Sequence, residues 1–124
     1  MRAGLSLFVA IVLLFFTLSV VTHAISSPLG ISPKVAKEKI ARREYDAIVD
    51  VRSNLEWALG HYPLAVHIPV GRIQTDLPAY FSEKRMRILF YCNTATRARW
   101  AAEAAQKMGY TNVEYLIGPH FSLY

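Results

Sequence analysis

Cys92 is the only cysteine in the chain, and it opens the run Cys92-Asn93-Thr94-Ala95-Thr96-Arg97. Before it, Ile88-Leu89-Phe90-Tyr91 is a short apolar and aromatic stretch, the pattern of a buried strand. After it, Ala98, Ala101, Ala102, Ala105 and Met108 recur at helical spacing, and Gly109 supplies a stop. A thiol placed between them stands at a helix N-terminus, where unpaired backbone N–H groups and the macrodipole favour an anion. Helix N-termini lower thiol pKa values in general, and the thiolate is the nucleophilic form. Arg97 adds a positive charge that does not titrate away. The expected chemistry is nucleophilic attack by sulfur, with the developing anion held by backbone amides. A lone cysteine is also commonly a small buried hydrophobe, so the surrounding elements decide between the two.

Those elements alternate. Ser32-Pro33 reads as an N-cap followed by proline at the first helical position, with Val35, Ala36, Ile40 and Ala41 as the apolar face. Ala47-Ile48-Val49 runs into Asp50-Val51-Arg52 as a buried strand reaching its carboxyl end. Ser53-Asn54-Leu55-Glu56 has capping-box spacing and opens a short helix that Gly60 closes. Ala65-Val66-His67-Ile68 is the next strand, ended by Pro69. Residues Asp76 to Phe81 are helical in pattern, although Pro78 allows only a first turn or a break. Strand Ile88–Tyr91, helix Ala98–Met108 and strand Val113–Leu116 complete the order. Strands alternating with helices predict an α/β fold: a parallel sheet flanked by helices on both faces. Ligands of such sheets bind beyond the carboxyl ends of the strands, where Cys92 falls.

The first 25 residues form a separate unit. Leu5 to Val21 is a 17-residue run without a charge, preceded by Arg2 and followed by small residues around Ala24. A cleaved signal peptide and an uncleaved membrane anchor over residues 1–25 both fit, and both place the following domain outside the cytosol. Residues 26–31, Ser-Ser-Pro-Leu-Gly-Ile, read as a linker and residues 32–124 as one domain. A single cysteine excludes an intramolecular disulfide framework and a multi-cysteine zinc site. The net charge of +5 is spread over solvated clusters at Lys34–Arg43 and Lys84–Arg87. No nucleic-acid motif or stacking platform accompanies them, so no nucleic-acid partner is expected.

At this level of detail the chain resembles a known family. Asp50-Val51-Arg52 with Glu56-Trp57-x-x-Gly60-His61, Ala65 and Ile68-Pro69 resembles the first half of a rhodanese-like domain. Tyr91-Cys92 with Arg97, Ala101-Ala102 and Gly109-Tyr110-Thr111-Asn112-Val113 resembles the second half. The similarity spans roughly Ile31 to Gly118 and is carried by the order and spacing of these pieces together. It implies a rhodanese-like α/β sheet and sulfur transfer, of the kind seen in small exported thiosulfate sulfurtransferases. Cys92 would be the nucleophile and persulfide carrier. The N–H groups of Asn93, Thr94, Ala95, Thr96 and Arg97 would cradle the anionic sulfur, while Arg97 steers an anionic donor and braces the loop. Arg52 is a candidate substrate contact, the other reading being a pair with Asp50 that holds neighbouring loops. The resemblance implies no cofactor and no metal. It implies a small-molecule sulfur donor and a thiol or cyanide acceptor as partners, with the membrane added through residues 5–25 if that segment is uncleaved. Oligomeric state is not set by it. His61 is expected to be a hydrogen-bonded structural residue with His67 pointing away from it, and Trp57 and Trp100 to pack in the core or between helices.

Three departures from the family pattern stand out. Ala95 occupies a loop position where many rhodaneses carry glycine, at a cost of about 1 kcal/mol if the backbone there is left-handed. Leu64 stands where glycine is usual. Six residues follow Gly118, so the family's closing helix is expected to be missing and apolar core around Tyr115, Leu116 and Phe121 to be exposed. These departures favour an alternative, a non-catalytic rhodanese-like binding or scaffold domain at the membrane. A cysteine-loop phosphatase or arsenate reductase stands further off. That chemistry uses a loop one residue longer than the four between Cys92 and Arg97, and commonly a histidine where this chain has Tyr91.

Overall fold

The computed structural model of the protein describes residues 6–14 and 27–124. A short helix, α1 (residues 6–14), has every side chain exposed. The signal or anchor reading of residues 1–25 lies for the greater part outside the described residues, and among those described no helix is long and apolar enough to cross a membrane. The domain then runs β1 (Gly30–Ile31), α2 (Pro33–Ala41), β2 (Ala47–Asp50), α3 (Asn54–Leu59) and β3 (Val66–His67). A 3-10 turn (Val70–Arg72) leads into α4 (Ile73–Tyr80), followed by β4 (Arg87–Cys92), α5 (Thr96–Lys107), β5 (Asn112–Pro119) and a final 3-10 turn (His120–Leu123).

All five strands pair in parallel, in the order β1-β5-β4-β2-β3. From β2 the chain moves outward to β3, and from β4 it moves outward the other way to β5. The reversal therefore lies between β2 and β4, whose ends carry Asp50 and Cys92. A crevice opens at such a reversal. The period-two alternation of strand side chains sorts the core into two layers. Val49, Val51, Ile88, Phe90, Cys92 and Val113 face Ile73 and Leu77 of α4 and the alanines of α5. Ile48, Leu89, Tyr91 and Leu116 face Ala36 of α2 and Leu123 of the last turn. Alanine at 98, 101, 102 and 105 lets α5 lie close against the sheet and draws its first turn over the end of β4.

Local signals explain most boundaries. Ser32 Oγ accepts the Val35 N–H at the start of α2, and Pro33 sits where no donor is missed. Ser53 and Glu56 close the reciprocal capping box of α3, which Gly60 ends at φ 143°, a conformation strained for any L side chain.

The differences from expectation have physical causes. The linker reading of residues 26–31 ends in strand β1, where Gly30 pairs with Tyr115 and Ile31 with Leu116. A Cβ at Gly30 would come within 2.7 Å of Ile117 Cδ1 and 2.9 Å of the Tyr115 ring, so those side-chain ends lie directly over the glycine. Helix α4 begins at Ile73 because the 3-10 turn feeds straight into it, which leaves Pro78 in the last turn rather than the first. Tyr115 and Leu116 are covered, the first beneath α5 and the second by Ala36 and Leu123. Only Phe121 of the three residues expected to be exposed is so. Trp100 lies on the outer side of α5, not in the core.

Candidate active site

Cys92 is the last residue of β4 and is fully buried. The β4–β5 ladder slips between Phe90 and Cys92, so that Cys92 is paired with Pro119. Such an irregularity at a strand end re-aims the side chain that follows it. The chain then turns through Asn93, Thr94 and Ala95 into α5. Ala95 holds the left-handed conformation, φ 73° and ψ −26°, as the family's glycine preference at this position anticipates. Alanine is strained there by about 1 kcal/mol. No side chain caps α5, and its first amides are left for another acceptor. One of them, Ala98 N–H, donates to Cys92 Sγ at 3.4 Å. Thr94 and Thr96 are exposed on the outer side of the loop, where with Ala95, Arg99, Tyr115, Ile117 and Ser27 they border a cleft of about 390 Å³.

Around the loop a polar network converges on Glu56. Arg97 donates to both of its carboxylate oxygens, Nη1 to Oε1 at 2.7 Å and Nη2 to Oε2 at 3.0 Å. Asn93 Nδ2 donates to Oε2 at 2.6 Å, and Ser53 N–H and Oγ donate to Oε1 at 3.1 and 2.9 Å. The Arg97 hydrogen bonds, helped by Ser53, hold the Glu56 pKa down at about 2 against its partial burial. The capping residue of α3 is thus also the anchor of the cysteine loop. This double role was not anticipated: the Ser53-x-x-Glu56 spacing shows the cap but not what else the carboxylate holds. Arg97 is accordingly not a bare cation facing an incoming donor, because its charge is balanced by Glu56.

Arg52, the candidate substrate contact, is 3% exposed. Its Nε and Nη2 grip Asp50 at 2.8–3.1 Å, and Nη2 also donates to the Gly60 carbonyl at 2.6 Å. The loop-holding reading therefore describes Arg52 better than substrate contact, since the pair ties the end of β2 to the end of α3. On the other side, Asn93 Oδ1 lies 3.0 Å from His120 Nδ1, and Arg52 Nη1 lies 3.3 Å from the same nitrogen. Burial and the Arg52 charge push the His120 pKa below the ordinary imidazole value, opposed in part by Asp50 and Glu56. His120 was missed by sequence reading. The one available signal was its place just past the carboxyl end of the last strand.

The histidines further along are packed, not free. The His61 ring lies parallel to Trp57 with centroids 3.3 Å apart, and the His67 ring likewise at 4.8 Å. Two rings that close cannot share a face of the indole, so they flank it. His67 therefore lies across the indole from His61, and Trp57 is half-buried between them. Each histidine places a ring nitrogen on a backbone carbonyl, His61 on Trp57 at 2.9 Å and His67 on Arg52 at 2.8 Å. The stack fastens α3 to β3, and so fixes the base of Glu56.

Comparison with known proteins agrees with this geometry. The family model described as a rhodanese-like domain matches residues 32–119. A tRNA uridine(34) hydroxylase of Erwinia tasmaniensis is 28% identical over 98 residues, covering 75% of this chain and 28% of that protein. A putative sulfur carrier protein of Bacillus subtilis, YrkF, is 32% identical over 88 residues, covering 71% of this chain and 46% of that protein. The chain thus spans less than half the length of these two relatives. Among solved structures, the human single-domain sulfurtransferase TSTD1 superposes with a TM-score of 0.67 at 24% identity, over 77% of this chain and 95% of that one, a likeness of fold. With the matched family region running from the N-cap of α2 to the end of β5, and Cys92 seated at the crevice between β2 and β4, this chain belongs to the rhodanese-like domain family.

Proposed function

We propose that the protein is a sulfurtransferase that carries sulfane sulfur as a persulfide on Cys92. The observation that carries this reading is the placement of Cys92 Sγ under the uncapped N-terminus of α5, with the Ala98 N–H aimed at it. A sulfur anion at that point gains from the amides and from the helix dipole without any side-chain proton transfer. The names of the relatives, a putative sulfur carrier and a single-domain sulfurtransferase, support the same chemistry.

In the proposed cycle the Cys92 thiolate attacks the outer sulfur of thiosulfate or a similar donor. The S–S bond of the donor breaks, sulfite leaves with the bonding pair, and Cys92 keeps the transferred sulfur as a persulfide anion. A nucleophilic acceptor, cyanide or a thiolate, then attacks the terminal sulfur. It leaves as thiocyanate or as a new persulfide, and the Cys92 thiolate returns. No external oxidant or reductant is consumed. The Ala98 N–H, with the N–H groups from Asn93 to Arg97 around it, stabilises the anion in both states, Arg97 braces the loop through Glu56, and Arg52 holds the strand end behind it.

The full burial of Cys92 favours one second reading, a rhodanese-like binding domain without turnover. Thiocyanate formation from thiosulfate and cyanide by the full chain separates the two. Turnover is expected, and Cys92→Ser should abolish it while leaving the thermal transition in place. Normal turnover in the serine variant would remove Cys92 as the nucleophile. Action outside the cytosol is a further part of the proposal and rests on the charge-free run from Leu5 to Val21 alone.

A further inference from the structure

We propose that His120 is a positioning residue for the cysteine loop, acting as a neutral imidazole that donates its Nδ1–H to Asn93 Oδ1. The inference rests on the sulfurtransferase reading only for its consequence in catalysis; the hydrogen-bond assignment stands on geometry. Glu56 supplies its beginning. Its carboxylate can only accept, so the Asn93 side-chain atom 2.6 Å away must be the NH2 group. That leaves the Asn93 carbonyl oxygen facing His120 Nδ1 at 3.0 Å. A carbonyl also only accepts, so a bare Nδ1 accepting from Arg52 would leave two lone pairs facing each other at 3.0 Å. The shorter of the two contacts at this nitrogen assigns the proton to Nδ1. With the proton on Nδ1, Arg52 Nη1 at 3.3 Å faces that nitrogen as a second donor, and the longer contact is the one given up. Among the described residues the order of donation runs in one direction, from His120 to Asn93 to Glu56, with Arg97 and Ser53 donating into the same carboxylate.

The neutral state is consistent with the groups that face the ring. Arg52 on the β2–α3 connection and burial disfavour a second proton, while Asp50 at the end of β2 and Glu56 on α3 oppose them. Tyr91 of β4, Phe121 and Tyr124 meet the ring as aromatic neighbours, with centroids 5.7–6.2 Å away. These contacts hold the ring plane, and the ring holds Asn93, the residue that follows the nucleophile. In this chain the start of the final 3-10 turn, just past β5, thus sets the orientation of a loop 27 residues earlier.

The test uses the full chain with 15N-labelled histidine and asparagine and needs no catalysis. At neutral pH the His120 resonances should show Nδ1 protonated and Nε2 bare. Hydrogen exchange of the Asn93 side-chain amide should speed by about tenfold in His120→Phe, which keeps a ring but no donor, the scale set by one lost hydrogen bond. His120→Asn places an amide nitrogen near the Nδ1 position and should restore slow exchange. A merely space-filling role would be met by Phe and not by Asn. Protonation on Nε2 alone, or unchanged Asn93 exchange in His120→Phe, would overturn the proposal. If the chain transfers sulfur, kcat/KM for thiosulfate should follow the same order, wild type and Asn above Phe. Correct tautomer and exchange results without any transfer would refute the sulfurtransferase reading and leave the role of His120 in place.

Discussion

Arg52 and Arg97 each grip a carboxylate with two nitrogens, Arg52 on Asp50 at 2.8 Å and Arg97 on Glu56 at 2.7 Å at closest approach. Their surroundings differ. Arg52 is 3% exposed and Asp50 fully buried, whereas the side chains of Arg97 and Glu56 keep 33% and 28% of their surface in solvent. A buried pair has already given up its hydration, and each partner is costly without the other. A half-exposed pair is cheaper to open, because water takes the place of the lost contact. The same motif, an acid beside an arginine, thus serves two ends. The inner pair fastens strand β2 to α3 behind the site, and the outer pair sets the cysteine loop, where a donor must enter.

The comparison breaks most visibly at the inner pair. Arg52→Met leaves Asp50 buried without its partner and should cost about 3–5 kcal/mol in urea unfolding. A loss under about 1 kcal/mol would place the pair among ordinary surface contacts.

The outer pair should respond less in stability and more in activity. Glu56→Gln removes the charge and replaces one of the two accepting oxygens shared by Arg97, Asn93 and Ser53 with a donor, and the expected stability loss is about 1 kcal/mol, the scale of a helix cap. The pH profile sharpens this. The folded pKa of Glu56, at about 2, lies below its ordinary value of 4.5, so its contribution is complete above that ordinary value and fades as pH falls toward 2. The stability gap between wild type and Glu56→Gln, measured by urea unfolding, should therefore be constant above pH 4.5 and close as the pH drops through that window. A gap that does not change with pH would mean that the carboxylate charge is not what holds Arg97.

The smallest effect belongs to the loop backbone. Ala95→Gly should stabilise the protein by up to about 1 kcal/mol by relieving the left-handed strain, offset by the greater freedom of glycine in the unfolded chain. A clear destabilisation would show that the alanine methyl packs better than its backbone suffers.

What was readable in the sequence is what is written in neighbouring residues. Cys92 between a strand and a helix, the Ser53–Glu56 cap and the order of strands all follow from local pattern, and the left-handed turn at Ala95 followed from the family's glycine. The second role of Glu56 and the whole role of His120 come instead from contacts that cross 37, 41 and 27 residues. No periodicity encodes those. Arg52 stayed between two readings for a related reason: an arginine at the carboxyl end of a strand can face the crevice or fold back on Asp50, and the pairing with Asp50 is completed by the distant Gly60 carbonyl. Strand β1 escaped notice because two residues carry no pattern, and what defines it is its pairing with Tyr115 and Leu116 of β5.

The most direct measurement of the central claim is the intact mass of the full chain before and after thiosulfate, beside the Cys92→Ser variant. The account predicts a gain of one sulfur atom on the wild type, removable by cyanide or a thiol and absent from the variant. A folded protein with a free thiol that gains nothing, or a variant that gains the same mass, would contradict it.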